Sequence, residues 1–106
     1  MTEPHPLDRL FDVIRLRKDA DPKSSYTAKL FSQGTLKIAK KLGEEGVETA
    51  LAAVAQDKQA LIAESADLLY HLLVLWAACG VDPKDAYAAL EARTNRSGIE
   101  EKNSRG

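Results

Sequence analysis

The chain has 106 residues and a mass of 11.6 kDa, which is enough for one domain. Its 15 Lys and Arg residues nearly balance its 16 Asp and Glu residues, so the net charge of −1 excludes a histone-like binder of nucleic acid. The single cysteine excludes an internal disulfide framework and a cysteine-based zinc site. No uninterrupted apolar run reaches the ~18 residues of a membrane span, and the N-terminus lacks a signal pattern. We therefore expect a cytoplasmic protein that binds neither nucleic acid nor membranes.

Helical periodicity runs through the chain and predicts an all-α fold, a short helical bundle. Apolar residues at spacings of three and four predict a first helix over residues 6–18. A polar loop then leads to a short helix, predicted over residues 26–33. Ser24 or Ser25 can cap this short helix, and Gly34 either ends it or kinks it.

Two long helices are predicted next. The first covers residues 35–56 and carries an apolar stripe of Val47, Leu51 and Val54, with Ala50, which we expect to face the core. The second covers residues 58–78 and is apolar over a wide arc of its surface. A helix of this kind belongs at the centre of a bundle or at a dimer interface.

A final helix is predicted to run to about residue 93. Asp82 is suited to its N-cap and Pro83 to its first helical position. We assign residues 1–93 to a single all-α domain. Residues 94–106 are polar and have almost no apolar anchors, so we expect a flexible tail.

Acidic residues are concentrated in two clusters on the two long helices. Glu44, Glu45 and Glu48 are spaced by three and four residues and are neighbours on a helix. Glu64 and Asp67 form the second cluster. Antiparallel packing of the two helices can bring both clusters to one pocket. Carboxylate oxygens are the ligands that Mg²⁺ and Mn²⁺ prefer, so we predict a Mg²⁺ site, with Mn²⁺ as the alternative. The competing interpretation is a solvated helix face.

Basic and polar residues precede the first acidic cluster. Lys40 and Lys41 lie one turn before it, and Lys29 lies in the short helix after Tyr26 and Thr27. We interpret the lysines as candidate phosphate ligands, since lysine is a flexible point charge. Tyr26 and Thr27 are candidates for contact with a nucleotide. The alternatives are solvated lysines in i,i+4 pairs, and residues that only cap and pack.

Three segments carry a resemblance to a known family: residues 25–30 (Ser-Tyr-Thr-Ala-Lys-Leu), residues 37–45 and residues 67–75 (Asp-Leu-Leu-Tyr-His-Leu-Leu-Val-Leu). The chain resembles the phosphoribosyl-ATP pyrophosphatases, which lie within the all-α (MazG-like) nucleoside-triphosphate pyrophosphatases. The acidic clusters indicate only the wider superfamily. The first and last of these segments narrow the resemblance to the phosphoribosyl-ATP pyrophosphatases. Gly46 departs from the family, where alanine is more usual.

The resemblance implies hydrolysis of 1-(5-phosphoribosyl)-ATP to 1-(5-phosphoribosyl)-AMP and pyrophosphate, the second step of histidine biosynthesis. Water would attack the bond between the α- and β-phosphates. By this resemblance all five carboxylates hold Mg²⁺, and one of Glu44, Glu45 and Glu48 orients or deprotonates the water. Lys29, Lys40 and Lys41 would hold the triphosphate. The family and the apolar fourth helix favour a homodimer.

Two other functions fit the same residues. One is a house-cleaning pyrophosphatase that hydrolyses non-standard nucleoside triphosphates. The other is a non-catalytic dimerisation module whose acidic residues only keep the surface soluble, and it predicts that Mg²⁺ neither binds nor stabilises the fold.

Overall fold

The computed structural model describes residues 5–94, and this part of the chain is all-helical, as predicted. Its helices are α1 (Pro6–Leu16), α2 (Tyr26–Gln33), α3 (Thr35–Val54), α4 (Lys58–Cys79) and α5 (Pro83–Thr94). The predicted bounds differ from these by two residues or fewer, at helix ends where assignments vary. The expected flexible tail began at Thr94, which belongs to α5, and the rest of it lies outside the described residues.

Ser25 and Gly34 set the two ends of α2. The Ser25 hydroxyl accepts a hydrogen bond from the Ala28 amide at 3.1 Å, so Ser25 is the N-cap. Ser24 instead donates to the Asp21 carbonyl at 3.3 Å. Gly34 has φ of +89°, a conformation open to glycine, and it lets α3 begin at the next residue in a new direction.

Helices α3 and α4 form an antiparallel hairpin and make the most extensive contact between any two helices described. Gln56 turns the chain with φ of +59°, and Asp57 caps α4 by accepting from the Ala60 amide at 3.0 Å. Thr49 lies against Glu64 across the hairpin. This register places the acidic cluster of α3 opposite that of α4.

The apolar core lies where α1 and α2 pack against the hairpin. It consists of six buried side chains from four helices: Phe11, Ile14, Leu30, Ile38, Leu73 and Val74. Helix α5 packs only lightly on this body. It is tied to α1 by a hydrogen bond from the Tyr87 hydroxyl to the Asp8 carboxylate at 3.1 Å.

The apolar stripe of α3 does not border the core, contrary to the sequence-based expectation. Val47, Leu51 and Val54 are between 60 and 80% exposed. The side of α3 that packs on α4 carries Thr49 and Ala52 instead, and Ala52 is buried. The stripe therefore faces outward from the single chain.

Helix α4 is long and apolar enough to cross a membrane by length and composition alone. Only 17% of its most apolar window is buried within the chain. Core helices of soluble proteins meet the same criterion. Helix α4 packs here against α1, α2 and α3 and carries two carboxylates near its middle.

Replacement of the α2 cap tests this account of the fold. Ser25→Ala removes the acceptor for the Ala28 amide, so we expect a loss of about 1 kcal/mol in unfolding free energy by urea denaturation. Ser24→Ala is the matched control and should change stability by less than about 0.5 kcal/mol, since its hydroxyl is exposed. Equal effects of the two substitutions would contradict the assignment of the cap.

Candidate active site

Three carboxylates meet between α3 and α4. Glu45, Glu48 and Glu64 each place one carboxylate oxygen so that all three atoms lie within 4.8 Å of one another. Glu45 and Glu64 are half-buried, whereas Glu48 is exposed. Asp67, also exposed, lies close enough for its charge to raise the pKa of Glu45. The hairpin thus brings together four of the five predicted metal ligands.

The close approach of these acids changes how they ionise. The pKa of Glu64 is raised to about 7, first by its hydrogen bond with Glu48 and then by burial. The pKa of Glu45 is also raised, first by burial and then by the charges of Glu48 and Asp67. Without a cation, the cluster therefore holds protons at a pH where glutamate is ordinarily ionised.

The cluster has the donors that a hard divalent cation requires. One oxygen of Glu45 and one of Glu64 are buried with no hydrogen-bond partner among the described residues. Unpartnered buried oxygens are costly, and a cation beside them would offset both the desolvation and the mutual repulsion. All the candidate ligand atoms are carboxylate oxygens, which suit Mg²⁺ or Mn²⁺ better than zinc. These residues fit a divalent metal ion.

The other predicted site residues surround the cluster less closely. Glu44 is exposed and lies outside the group of three, so its role as a ligand or base remains a prediction. Lys40 and Lys41 lie on α3, one turn before the acids, and Lys40 is exposed while Lys41 is half-buried. Lys29 is exposed on α2 beside an open groove.

Thr49 was not identified from the sequence, although it braces the site. Its hydroxyl donates to the Glu45 carbonyl at 2.7 Å and lies 3.2 Å from the Glu64 carbonyl on α4. A small hydroxyl at this position lets the two helices approach closely beside the carboxylates. A threonine on a helix carries no signal of its own, because its partner across the hairpin is fixed only by register.

Tyr26 and Thr27 on α2 make side-chain contacts with α4. Thr27 hydrogen-bonds to the Tyr70 hydroxyl, and the Tyr26 hydroxyl lies 3.4 Å from Nε2 of His71. His71 is 5% exposed, and its Nδ1 lies 2.7 Å from the Asp67 carbonyl, which can only accept. In the neutral ring Nδ1 therefore carries the proton, and Nε2 accepts from Tyr26.

An all-α body with an acidic site on a helical hairpin is the arrangement expected of the all-α nucleotide pyrophosphatases. The sequence profile of the phosphoribosyl-ATP pyrophosphohydrolase family matches residues 7–94, nearly the whole described chain. The chain belongs to this family, as the resemblance had indicated, and is therefore a hydrolase.

Individual relatives agree with the profile. A phosphoribosyl-ATP pyrophosphatase of Paramagnetospirillum magneticum is 59% identical over 99 residues, which cover 93% of this chain and 91% of the relative. That of Parvibaculum lavamentivorans is 60% identical over 100 residues, covering 94% and 92%. That of Paracoccus denitrificans is 52% identical over 107 residues, covering 99% of both chains.

The raised pKa of Glu64 predicts how stability depends on pH without metal. The folded-state pKa of about 7 lies above the ordinary value of 4.5, so protonation of Glu64 favours the folded state. This contribution is fully present below pH 4.5 and is lost as the pH rises through about 7. In EDTA, we expect the melting temperature to fall between about pH 5 and about pH 8, and to fall less for Glu64→Gln.

The matched control is Glu91→Gln on α5, far along the chain from the cluster, which should keep the pH dependence of the unmodified protein. At the upper pH, Mg²⁺ should raise the melting temperature of the unmodified protein. The rise should be smaller for Glu64→Gln. Identical pH profiles for the unmodified protein and Glu64→Gln would contradict the coupling of these carboxylates.

Proposed function

We propose that the chain hydrolyses 1-(5-phosphoribosyl)-ATP to 1-(5-phosphoribosyl)-AMP and pyrophosphate, the second step of histidine biosynthesis, in the cytoplasm. The observation that carries this proposal is the cluster of Glu45, Glu48 and Glu64, in which two buried oxygens have no hydrogen-bond partner among residues 5–94. The relatives named for this activity share more than half of their residues with the chain over nearly its full length.

Magnesium is the cation we propose for the cluster, with Mn²⁺ as an alternative. Glu45, Glu48 and Glu64 would hold it, with Asp67 and Glu44 at the edge of the site. When bound, it neutralises the phosphates and the charge that develops on the leaving pyrophosphate.

The chain's own residues would bind the nucleotide and position the water. A glutamate of the α3 cluster orients or deprotonates the water that attacks between the α- and β-phosphates. Lys29, Lys40 and Lys41 supply positive charge for the triphosphate, and this charge is worth most where the bond breaks. Tyr26 and Thr27 contact the nucleoside.

A homodimer is the assembly we propose. The apolar stripe of Val47, Leu51 and Val54 is exposed on α3, and Ile62 and Leu69 are exposed on α4. A second copy would bury these side chains, which gain about 25 cal/mol per Å² removed from water. Insertion of α4 into a membrane is disfavoured, because each carboxylate near its middle would cost about 3 kcal/mol there.

Pyrophosphate release tests the proposed reaction. The purified protein is supplied with phosphoribosyl-ATP, ATP or dUTP, each with Mg²⁺ and with EDTA. We expect Mg²⁺-dependent release from phosphoribosyl-ATP and little from the other two. Release from dUTP or ATP alone would favour the house-cleaning pyrophosphatase, and no release from any nucleotide would favour a non-catalytic helical module.

Removal of one carboxylate charge should abolish most of the activity. Glu48→Gln keeps the size of the side chain but removes a proposed metal ligand, so we expect kcat to fall by at least about 100-fold. Glu91→Gln on α5 is the control and should retain the rate of the unmodified protein. A Glu48→Gln protein with a near-normal rate would remove Glu48 from the proposed machinery.

Sedimentation tests the proposed dimer. Leu51 is 61% exposed in the single chain, so Leu51→Glu should change the stability of a monomer by less than about 0.5 kcal/mol. If a second copy covers this stripe, Leu51→Glu should shift the protein from dimer to monomer. Leu16→Glu changes a leucine on α1 that is 81% exposed, and it serves as the control. A dimer unaffected by Leu51→Glu would place the interface elsewhere.

A further inference from the structure

We propose that the groove before α2 is a second phosphate subsite, which receives the phosphate of the phosphoribosyl group on adenine N1. This proposal rests on the proposed function and assigns one end of the substrate to a surface apart from the carboxylate cluster. The groove is lined by the loop and the first turn of α2: Pro22, Lys23, Ser24, Ser25, Tyr26 and Lys29.

The size and charge of the groove suit a sugar phosphate. Its volume is about 590 Å³, and it is open to solvent. Lys23 and Lys29 supply two exposed ammonium groups, and this proposal assigns Lys29 to the ribose phosphate instead of the triphosphate. The neighbouring acid, Asp21, is not among the residues that line the groove, and its carboxylate accepts a hydrogen bond from the Lys23 amide at 2.9 Å. Two lysine ammonium groups on one groove form a donor set that binds phosphate.

Tyr26 forms the wall between the groove and α4. Tyr26 is 53% exposed, so part of the residue is open to a ligand. The ring stacks on Tyr70 with a centroid separation of 6.2 Å and an angle of 24°. Its hydroxyl contacts the buried His71. A tyrosine supported in this way offers a fixed aromatic surface, and purine rings stack on such surfaces with little preference for sequence or substituent.

A short chain of contacts joins the groove to the carboxylates. Tyr26 contacts His71, His71 contacts the Asp67 carbonyl, and the charge of Asp67 reaches Glu45. The surface therefore presents the carboxylate cluster, the aromatic ring of Tyr26 and the basic groove in that order. Phosphoribosyl-ATP presents a triphosphate, a purine and a ribose phosphate in the same order.

This match gives the groove a role in specificity. ATP lacks only the phosphoribosyl group, so a subsite for that phosphate separates the two nucleotides without any change at the carboxylate cluster. Contacts with a part of the substrate remote from the reacting bond act on binding, so loss of Lys23 should raise KM and leave kcat nearly unchanged.

Binding of the product tests the subsite without metal or turnover. Calorimetry in EDTA gives the Kd of phosphoribosyl-AMP and of AMP for the unmodified protein, Lys23→Ala and Lys84→Ala. We expect Lys23→Ala to weaken the binding of phosphoribosyl-AMP by about tenfold, which is the scale of one lost charged phosphate contact. The Kd of AMP should not change. Lys84 is exposed on α5, so Lys84→Ala should match the unmodified protein. Under turnover, Lys23→Ala should raise KM for phosphoribosyl-ATP by a similar factor.

Each other result overturns the subsite. If Lys23→Ala weakens the binding of phosphoribosyl-AMP and AMP equally, or of neither, the groove does not bind the extra phosphate. Weakened inhibition by pyrophosphate, with phosphoribosyl-AMP unaffected, assigns the groove to the triphosphate end instead. These results leave the proposed function intact when the unmodified protein still hydrolyses phosphoribosyl-ATP, whereas failure of that hydrolysis contradicts the function itself.

Discussion

Repulsion among the carboxylates of the α3–α4 hairpin is the constraint on which the site depends. The hairpin register holds three acidic oxygens within 4.8 Å of one another and leaves two buried oxygens without partners among the described residues. Like charges at this separation destabilise the folded chain unless protons or a cation offset them. Without metal, the raised pKa of Glu64 lets a bound proton offset this repulsion. A divalent ion would also offset it, and such an ion is suited to phosphate chemistry.

The rest of the fold keeps this unfavourable arrangement in place. The buried core joins α1 and α2 to the hairpin, and Thr49 fixes the approach of α3 to α4 beside the acids. Helix α2 adds the contact between Tyr26 and His71, through which a nucleotide stacked on α2 would lie next to the acidic helix. The proposed binding surface on α2 and the acidic site are thus connected through α4, which favours a substrate that spans both.

The helices, the Ser25 cap of α2 and the two acidic clusters could be predicted from the sequence, because helical periodicity and capping act locally. The choice of Glu45 over Glu44 as the inward acid could not, since it depends on how α3 rotates against α4. The same rotation exposes the stripe of Val47, which the sequence pattern alone assigned to the core. Helix rotation and hairpin register are properties of packing, and one helix's sequence does not specify them.

The most direct test of the account is the location of a divalent ion in crystals of the protein grown with Mn²⁺. Anomalous scattering identifies the ion without reference to activity. The account predicts a peak between Glu45, Glu48 and Glu64, with carboxylate oxygens at about 2.1–2.2 Å, as for a hard cation of this size. A fully active protein whose crystals show Mn²⁺ elsewhere, and only water between these three glutamates, would contradict it.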